Sequence, residues 1–320
     1  MLSEFDLIRK YFERAPSAVR PGDRSARGVA LGIGDDAALL RPSAGMELAV
    51  STDMLIEGRH FRAGADPRKL GHKVLAVNLS DMAAMGAAPR WATLAISLPA
   101  ADEAWLDAFC KGFFALADRY GVELVGGDTT RGLLSFCVTI LGELPPGLAL
   151  FRAGAGPGDD IWVSGELGGA ALGLERPEIA AAAKRLEEPE PRVELGERLR
   201  GIATAAIDVS DGFAQDLGHI LERSGVGAIV EYDLLPRSAD VRGIQDQELQ
   251  SRLVLAGGDD YELAFTAPQG ARATIAALAS ELKLALTRVG SIQVGEPALL
   301  VRDARGRPLA PGHGFDHFLP

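Results

Sequence analysis

Hydrophobic and polar positions follow two different periods along this chain. Short stretches alternate every second residue, as strands do, and longer stretches repeat every three to four residues, as amphipathic helices do. In the first half, the predicted strands are residues 46–52, 122–126 and 135–144, and the predicted helices are residues 66–86 and 102–120. The first strand ends at Asp53, and the second runs into Gly127 and Asp128. The alternation predicts an α/β first half with acidic residues at the ends of strands.

The predicted helix 66–86 carries signals at both of its ends. Asp66 is predicted as the N-cap, Pro67 as the first helical residue and Gly86 as the residue that ends the helix. Asp81 lies at helical spacing on the apolar face of this helix. An acid on such a face needs a partner or a metal ion, because an isolated buried charge is strongly destabilising. Both alternatives stay open: a carboxylate satisfied by a neighbouring element, or a metal ligand.

The chain is long enough for two cores, since it has 320 residues, of which 47% are hydrophobic. The Pro-Pro-Gly sequence at 145–147 breaks any regular element, so we expect domains at 1–144 and 145–320. The second half opens with glycine-rich turns, a short strand around 161–165 and an alanine-rich helical stretch. The sequence EEPEPR at 187–192 is charged and rich in proline, and it is predicted to be an exposed loop.

Charge and cysteine usage narrow the classes of protein. The formal net charge of -11 argues against nucleic-acid binding, which relies on clustered Lys and Arg. Cys110 and Cys137 fit neither a zinc motif nor a disulfide framework, which favours a reducing, cytoplasmic location. No apolar run approaches the ~20 residues that span a bilayer, and the first residues lack a continuous apolar segment. We therefore expect a protein that is neither exported nor bound to a membrane.

The stretch GIGDDAALL at 32–40 fits the loose dinucleotide fingerprint G-x-G-x-x-G/A. A true fingerprint opens a long helix, but Pro42 and Gly45 follow too soon. Asp35 and Asp36 would also repel a pyrophosphate, since two like charges ~4 Å apart repel by about 4 kcal/mol at an effective dielectric of 20. Carboxylates lie beside phosphates when a divalent cation stands between them. The stretch therefore favours a metal site over a dinucleotide site.

Aspartates recur with small residues in five further motifs. These are STDML at 51–55, NLSDMAAMGA at 78–87, GGDTTRG at 126–132, DVSDG at 208–212 and GGDDYEL at 257–263. Any one of these motifs by itself is typical of a Gly-Asp turn or of an aspartate that caps a helix. Together they indicate hard oxygen ligands for Mg²⁺ and hence phosphoryl transfer. Neither a Walker A motif nor a protein-kinase signature is present, so the fold is of another kind.

The motifs occur in an order and spacing that resemble one family over nearly the whole chain. GIGDDAALL, STDMLIEGRHF, KVLAVNLSDMAAMGA, LVGGDTTRG, DVSDGF, GGDDYELAF and GFDHF are similar to those of thiamine-monophosphate kinases. The resemblance implies the two-domain aminoimidazole-ribonucleotide synthetase-like (PurM-like) fold, with an N-terminal α/β domain and a C-terminal α+β domain. It assigns ATP and Mg²⁺ binding and a dimer-forming sheet to the first domain, and completion of the active site to the second. It also implies a homodimer that converts ATP and thiamine monophosphate to ADP and thiamine diphosphate.

Site residues follow from the resemblance, position by position. It implies the Mg²⁺ ligands Asp36, Ser51, Thr52, Asp53, Asp81, Asp128, Asp208 and Asp211. It implies nucleotide contacts at Gly127, Asp128, Arg152 and Ser210, and substrate contacts at His60, Asp259 and Phe315. Two positions depart from the family pattern. The family usually has GGEDYE where this chain has GGDDYE, and an aromatic Tyr or Trp is common where Phe315 stands.

The reaction so implied needs no general base, because the acceptor is already an ionised phosphate oxygen. The obstacle is repulsion between two anions, which several bound Mg²⁺ ions would relieve. We therefore expect direct in-line transfer without a phosphoenzyme. Two alternatives stay open: another synthetase of the same fold group, and a Mg-nucleotide binding module without activity. Selenophosphate synthetases and the hydrogenase-maturation relatives carry a reactive cysteine near one terminus, which this chain lacks.

Overall fold

A computed structural model describes residues 3–13, 28–315 and 317–318 of the chain. The chain divides into two compact units, residues 1–82 with 87–147 and residues 83–86 with 148–320. The roles predicted for the two domains stay predictions. Across the described residues, no helix is both long and apolar enough to cross a lipid bilayer.

The first unit is built around a four-stranded sheet. Its elements are α1 (Glu4–Leu7), which continues into a π-helical turn (Ile8–Phe12), β1 (Val29–Leu31), β2 (Leu39–Leu40), β3 (Glu47–Ile56), α2 (Pro67–Ala84), β4 (Ala88–Leu98), α3 (Glu103–Tyr120), β5 (Glu123–Arg131) and β6 (Ser135–Leu144). The strand order is β3-β6-β4-β5. Strands β4 and β5 are parallel because α3 forms the crossover between them, and the other pairs are antiparallel. β1 and β2 form a separate small ribbon.

Two strands run further than the sequence predicts, and the prediction that acidic residues end them is wrong. Asp53 pairs with Val138 inside β3, which continues for three more residues along β6. Asp128 pairs with Ala95 inside β5. Each aspartate lies within a run of residues that pair with the one neighbouring strand, so the strand continues through it. The predicted strand 135–144 is confirmed with its bounds.

The two predicted helices of this unit are confirmed. Asp66 Oδ1 accepts the N–H of Arg68 at 2.8 Å, as an N-cap does, and α2 then runs to Ala84. Asp102 caps α3 in the same way, and Gly121 ends it at a φ of 68°. The aromatic face of α3 is core, since the Phe109 ring stacks on a phenylalanine of β6 with centroids 5.0 Å apart.

The four-stranded sheet has two different faces. On β6, alternate side chains at Phe136, Val138 and Ile140 are buried beneath the helices. On the opposite face, Val50 and Met54 of β3 are 60% and 56% exposed. This second face is named the open sheet face below. Its exposed apolar side chains indicate a surface that another molecule covers.

The second unit contains a seven-stranded, mostly antiparallel sheet. Its elements are β7 (Asp160–Ser164), α4 (Gly169–Glu175), α5 (Ala180–Glu187), α6 (Val193–Arg198), β8 (Ala205–Asp208), α7 (Phe213–Ser224), β9 (Gly227–Glu231), α8 (Ala239–Arg242), α9 (Gln247–Ala256), β10 (Leu263–Ala267), α10 (Arg272–Leu282), β11 (Leu286–Gln293), β12 (Leu299–Arg302) and β13 (Pro308–Leu309). The order is β13-β12-β9-β11-β7-β10-β8. One buried cluster includes Ile161 and Val163 of β7 with Phe213 and Leu217 of α7.

The segment 187–192 differs from the prediction of an exposed loop. Pro189 and Pro191 are buried, and Arg192 is only partly exposed. The cause is a long-range ion pair: the Arg192 guanidinium binds both carboxylate oxygens of Glu262. The segment is therefore held against the unit, and its charge pattern alone was a poor guide to exposure.

Candidate functional site

In the first unit, Ser51, Asp53, Asn78 and Asp81 lie together where β3 meets α2, and we name this group the β3–α2 seam. The Ser51 hydroxyl donates to Asp81 Oδ2 at 2.5 Å. The Asp53 N–H donates to Asn78 Oδ1 at 3.3 Å. Ser51 and Asp53 alternate along β3 and so point to one face of the sheet. Asn78 and Asp81 are three residues apart and so lie on one face of α2, which places all four side chains between β3 and α2. Four oxygen-bearing side chains in one place suit a hard cation.

Asp81 has a protein partner, since the Ser51 hydroxyl donates to it, and its role as a metal ligand stays a prediction. Asn78 is fully buried, and its side-chain N–H donates to the carbonyl of Val74 at 3.0 Å. This bond turns the amide oxygen of Asn78 toward β3, where it accepts from the backbone of Asp53. Asn78 therefore orients the strand residue that the sequence predicts as a metal ligand. Sequence reasoning missed Asn78 as a site residue, although it belongs to the NLSD motif.

The structure does not gather all predicted ligands of the first unit in the β3–α2 seam. A row of paired residues crosses the sheet from Asp53 through Val138 and Leu94 to Gly127. Adjacent strands lie about 4.8 Å apart, so the two ends of the row are about 14 Å apart. Asp128 belongs to the next row and is exposed on the open sheet face. Within this unit, Asp128 and the β3–α2 seam are therefore separate groups.

Three other predicted positions occupy separate surroundings. The Thr52 hydroxyl shares a 2.8 Å hydrogen bond with Thr139, on the open sheet face. Asp36 is exposed in the turn between β1 and β2, and its N–H donates to Asp35 Oδ1. His60 Nδ1 accepts the N–H of Ile56 at 3.0 Å, so the neutral ring carries its proton on Nε2.

Gly127 requires glycine for two reasons. Its φ is +151°, and a Cβ there would lie 1.9 Å from the carbonyl oxygen of Leu94. The backbone of β5 therefore approaches β4 more closely than any side chain allows, directly before Asp128. The close approach is to β4, so the role of Gly127 as a nucleotide contact stays a prediction.

In the second unit, predicted residues from two distant segments converge on residues 208–212, which we name the DVSDG loop. The Asp259 N–H donates to the carbonyl of Ser210 at 2.8 Å. The Phe315 N–H donates to the carbonyl of Asp211 at 2.9 Å, and Gln215 Nε2 donates to the carbonyl of Phe315 at 3.0 Å. The fold thus brings together a predicted nucleotide contact, a predicted metal ligand and two predicted substrate contacts.

The DVSDG loop is held from below by Asp216, which sequence reasoning missed. Asp216 is 2% exposed, and its Oδ2 accepts the N–H groups of Ser210, Asp211 and Gly212 at 3.0 to 3.1 Å. Burial raises the pKa of Asp216 to about 7, and the nearby carboxylates of Asp208 and Asp211 contribute a smaller part of the rise. Burial also raises the pKa of Asp211. A bound cation would offset this crowding of negative charge.

The remaining predicted contact of this unit is Arg152. Its side chain is exposed, and its carbonyl accepts the Ser224 hydroxyl at 3.4 Å. This contact is made by the backbone of Arg152 and does not involve the DVSDG loop. Its predicted role as a nucleotide contact therefore stays a prediction.

Residues 257–262, which we name the GGDDYE segment, are anchored by two carboxylates. Asp260 accepts the N–H groups of Gly168 and Ala170 at 2.6 and 3.2 Å. Glu262 is 2% exposed; it accepts the Ser164 hydroxyl at 2.6 Å and binds Arg192 through both oxygens. These anchors fix the segment beside the DVSDG loop.

Comparisons with known proteins identify the family. The family model described as AIR synthase related protein, N-terminal domain, matches residues 34–144, and the corresponding C-terminal domain model matches residues 156–299. A thiamine-monophosphate kinase of Salmonella typhimurium is 45% identical over 327 residues, covering 98% of both chains. The chain belongs to the thiamine-monophosphate kinase family.

Solved structures of the family show the same fold. A thiamine-monophosphate kinase from Stenotrophomonas maltophilia superposes with a TM-score of 0.82 at 49% identity, covering 87% of this chain and 94% of that one. The structure described as AaThiL complexed with AMPPCP and TMP superposes with a TM-score of 0.76 at 29% identity, covering 98% and 97%. The predicted two-domain, aminoimidazole-ribonucleotide synthetase-like fold is confirmed.

The geometry bears on how a metal ion could be held. Within residues 3–13, 28–315 and 317–318, no group of three or more His, Cys, Asp or Glu side chains is placed to hold one ion. Mg²⁺ commonly takes only one or two protein carboxylates, with water and phosphate oxygens completing its shell. The neighbouring oxygen-bearing side chains of the β3–α2 seam fit that mode of binding.

The pKa of Asp260 leads to a prediction about stability. Burial raises this pKa from 3.8 to about 7. The folded chain then binds the proton of Asp260 more tightly than the unfolded chain does. Protonation of Asp260 therefore stabilises the folded state fully below pH 3.8, and this contribution is lost as the pH rises through about 7. We expect the free energy of unfolding to fall by at most about 1.4 kcal/mol per pH unit between pH 5 and 7 through this group.

Urea denaturation of the wild type and of Asp260→Asn at pH 5, 6, 7 and 8 checks this expectation. The variant should show a flatter profile, because the titrating group is gone. Parallel profiles in the two proteins would contradict the assignment.

Proposed function

We propose that this chain transfers the γ-phosphoryl group of ATP to the phosphate of thiamine monophosphate, which yields thiamine diphosphate and ADP. The observation that carries this proposal is the 45% identity to a thiamine-monophosphate kinase over 98% of both chains. A relative of the same fold has been solved with AMPPCP and TMP, and the two chains match over 98% and 97% of their lengths. The convergence of predicted residues on the DVSDG loop adds support from the structure itself.

We propose Mg²⁺ as the metal, because the donors are carboxylate and hydroxyl oxygens. The proposed ligands are Asp36, Ser51, Thr52, Asp53, Asp81, Asp128, Asp208 and Asp211. Thr52 and Asp128 have the least support in this set, since both lie on the open sheet face and apart from the β3–α2 seam. When bound, the metal would supply positive charge between the phosphates of donor and acceptor.

The remaining roles are proposed on the same basis. Gly127, Asp128, Arg152 and Ser210 contact the nucleotide, while His60, Asp259 and Phe315 contact thiamine monophosphate. Gly127 lies directly before Asp128 in β5, and Asp216 holds the loop that contains Ser210. The proton of the neutral His60 ring is on Nε2, so that nitrogen is the one able to donate to a phosphate oxygen.

The proposed mechanism is a direct in-line transfer. The acceptor oxygen is ionised at neutral pH, so the chain needs no general base to activate it. Its residues act by orientation: the seam and the DVSDG loop hold oxygen donors in fixed places, and backbone bonds hold Asp259 and Phe315 beside that loop. No side chain is proposed to carry the phosphoryl group.

Release of ADP by the purified chain with ATP and Mg²⁺, measured with and without thiamine monophosphate, tests the activity. We expect ADP to form only with the acceptor and thiamine diphosphate to form in equal amount. A binding module would give no acceptor-dependent turnover, and a synthetase of another kind would need a different acceptor. After incubation with γ-labelled ATP alone, label that stays on the denatured protein and then passes to acceptor would overturn direct transfer.

We also propose that the chain forms a homodimer through the open sheet face. The support is the exposure of apolar side chains there, with Val50 60% and Met54 56% exposed. Sedimentation of the wild type should show a dimer, and Val50→Glu with Met54→Glu should shift it to monomer. A wild-type monomer at micromolar concentration would contradict the proposal. The cytoplasmic location and the absence of nucleic-acid and membrane partners stay predictions.

Phe315→Ala is expected to raise the KM for thiamine monophosphate about three- to tenfold with little change in kcat. The ring is 39% exposed, while the backbone of Phe315 is held by Asp211 and Gln215. Loss of an aromatic contact weakens binding by about 0.5–1.5 kcal/mol, and loss of uniform binding raises KM alone. Phe318→Ala, at a side chain that is 96% exposed, is the control. An unchanged KM in Phe315→Ala would mean that the ring does not touch the substrate.

A further inference from the structure

The GGDDYE segment presents its side chains in two sets. Asp260 and Glu262 are the anchors described above, bonded to Gly168 and to Arg192 among others. Asp259 and Tyr261 alternate with the anchors and are bonded to each other: the Tyr261 hydroxyl donates to Asp259 Oδ1 at 3.0 Å. The anchored set explains why the segment stays in place. The side chains of the second set bond to each other.

The backbone at both residues of the second set is strained. Asp259 has a φ of 67° and Tyr261 a φ of 49°, in the left-handed region that L-residues with side chains avoid. Their N–H groups donate to the carbonyls of Ser210 and Val209, each at 2.8 Å. Strain of this kind persists where the surroundings impose it, and it gathers at functional sites. Here it turns the Asp259 carboxylate and the Tyr261 hydroxyl into hydrogen-bonding distance beside the DVSDG loop.

We propose that Tyr261 is a positioning residue for Asp259 in binding of the acceptor substrate. The hydroxyl sets the rotation of the carboxylate, so that Asp259 meets the acceptor in one orientation and loses less freedom on binding. This matters in a chain that has aspartate where its family usually has glutamate. A shorter carboxylate reaches less far, and its direction then decides whether contact is made. The inference rests on the proposed function, because it takes Asp259 to contact thiamine monophosphate.

A double-mutant cycle separates this role from simple packing. The variants are Tyr261→Phe, Asp259→Gly and both together. Glycine suits position 259 because it adopts a φ of 67° without strain while removing the carboxylate. Tyr232→Phe is the matched control, since its hydroxyl bonds to Gln250 in the interior of the same unit. For each variant, the KM values for thiamine monophosphate and ATP, kcat and the midpoint of thermal unfolding are measured.

We expect Tyr261→Phe to raise the KM for thiamine monophosphate about tenfold, the usual scale for a hydrogen bond to a charged group. The KM for ATP and kcat should stay within twofold of wild type. In the Asp259→Gly background, the same change should have no further effect, because the carboxylate that the hydroxyl orients is absent. Tyr232→Phe should leave the KM for thiamine monophosphate unchanged.

Two results would overturn the inference while leaving the proposed function intact. One is a KM for thiamine monophosphate that Tyr261→Phe does not change, in a wild type with acceptor-dependent turnover. The other is the same rise in KM with and without Asp259, which would show that the hydroxyl acts independently of the carboxylate. If the wild type itself shows no acceptor-dependent turnover, the proposed function fails and the inference falls with it.

Discussion

Asp81→Asn is expected to lower kcat by about a thousandfold or more while the chain remains folded. Asparagine keeps the shape of the side chain and an oxygen that can accept the Ser51 hydroxyl, so the contact that joins β3 to α2 survives. What is lost is one negative charge in the β3–α2 seam. If the seam holds Mg²⁺, that charge is needed to bind the ion and to hold the phosphates in line.

Steady-state kinetics over a range of Mg²⁺ concentrations, together with the thermal midpoint, check this result. Asp107→Asn is the control, because Asp107 is an exposed acid on α3 in the same unit. A partial recovery of Asp81→Asn at high Mg²⁺ would further support a role in metal binding. Activity like that of wild type in Asp81→Asn would remove the β3–α2 seam from the mechanism.

Arg192→Ala is expected to lower the free energy of unfolding by about 3–5 kcal/mol. The Glu262 side chain is 2% exposed, and Arg192 binds both of its oxygens. Removing the arginine leaves a buried carboxylate whose charge is no longer balanced. Because Glu262 anchors the GGDDYE segment, we also expect acceptor binding to weaken in the protein that remains folded.

Arg198→Ala provides the matched control for this loss of stability. Arg198 pairs with Glu281 at 2.5 Å, but the two side chains are 46% and 57% exposed. An exposed pair contributes about 0–1 kcal/mol, so the control should differ little from wild type in urea denaturation. Adding Glu262→Gln to Arg192→Ala should restore part of the stability, because the unbalanced charge is then removed. Equal losses in Arg192→Ala and Arg198→Ala would contradict the prediction.

Local signals predicted the elements of the first unit well. The cap at Asp66, the helical spacing within 102–120 and the alternation at 135–144 depend on neighbouring residues only, and those elements form where they are predicted. The ends of β3 and β5 were predicted wrongly, because a strand continues as long as its neighbour pairs with it. Whether Asp53 or Asp128 ends a strand depends on β6 and β4, which the local sequence does not reveal.

Residues of the site divide in the same way. The motifs around Asp211 and Asp259 were visible as short patterns, and the fold brings these residues to one place. Asp216 and Arg192 were missed because their roles are defined by partners and not by their own surroundings in the chain. The arginine lies 70 residues from Glu262, and nothing in the composition of 187–192 indicates that it turns inward.

The sequence alone was sufficient for the family, the order of its acidic motifs and the helices with capped ends, since each is written in residues close together in the chain. Only the tertiary structure decided which of those aspartates face one another. Pairing register put Asp53 and Asp128 in different rows of one sheet, and burial brought Asp216 beneath the DVSDG loop. The physical reason is that strand pairing and the solvation of a carboxylate depend on groups that are distant in sequence and adjacent only after folding.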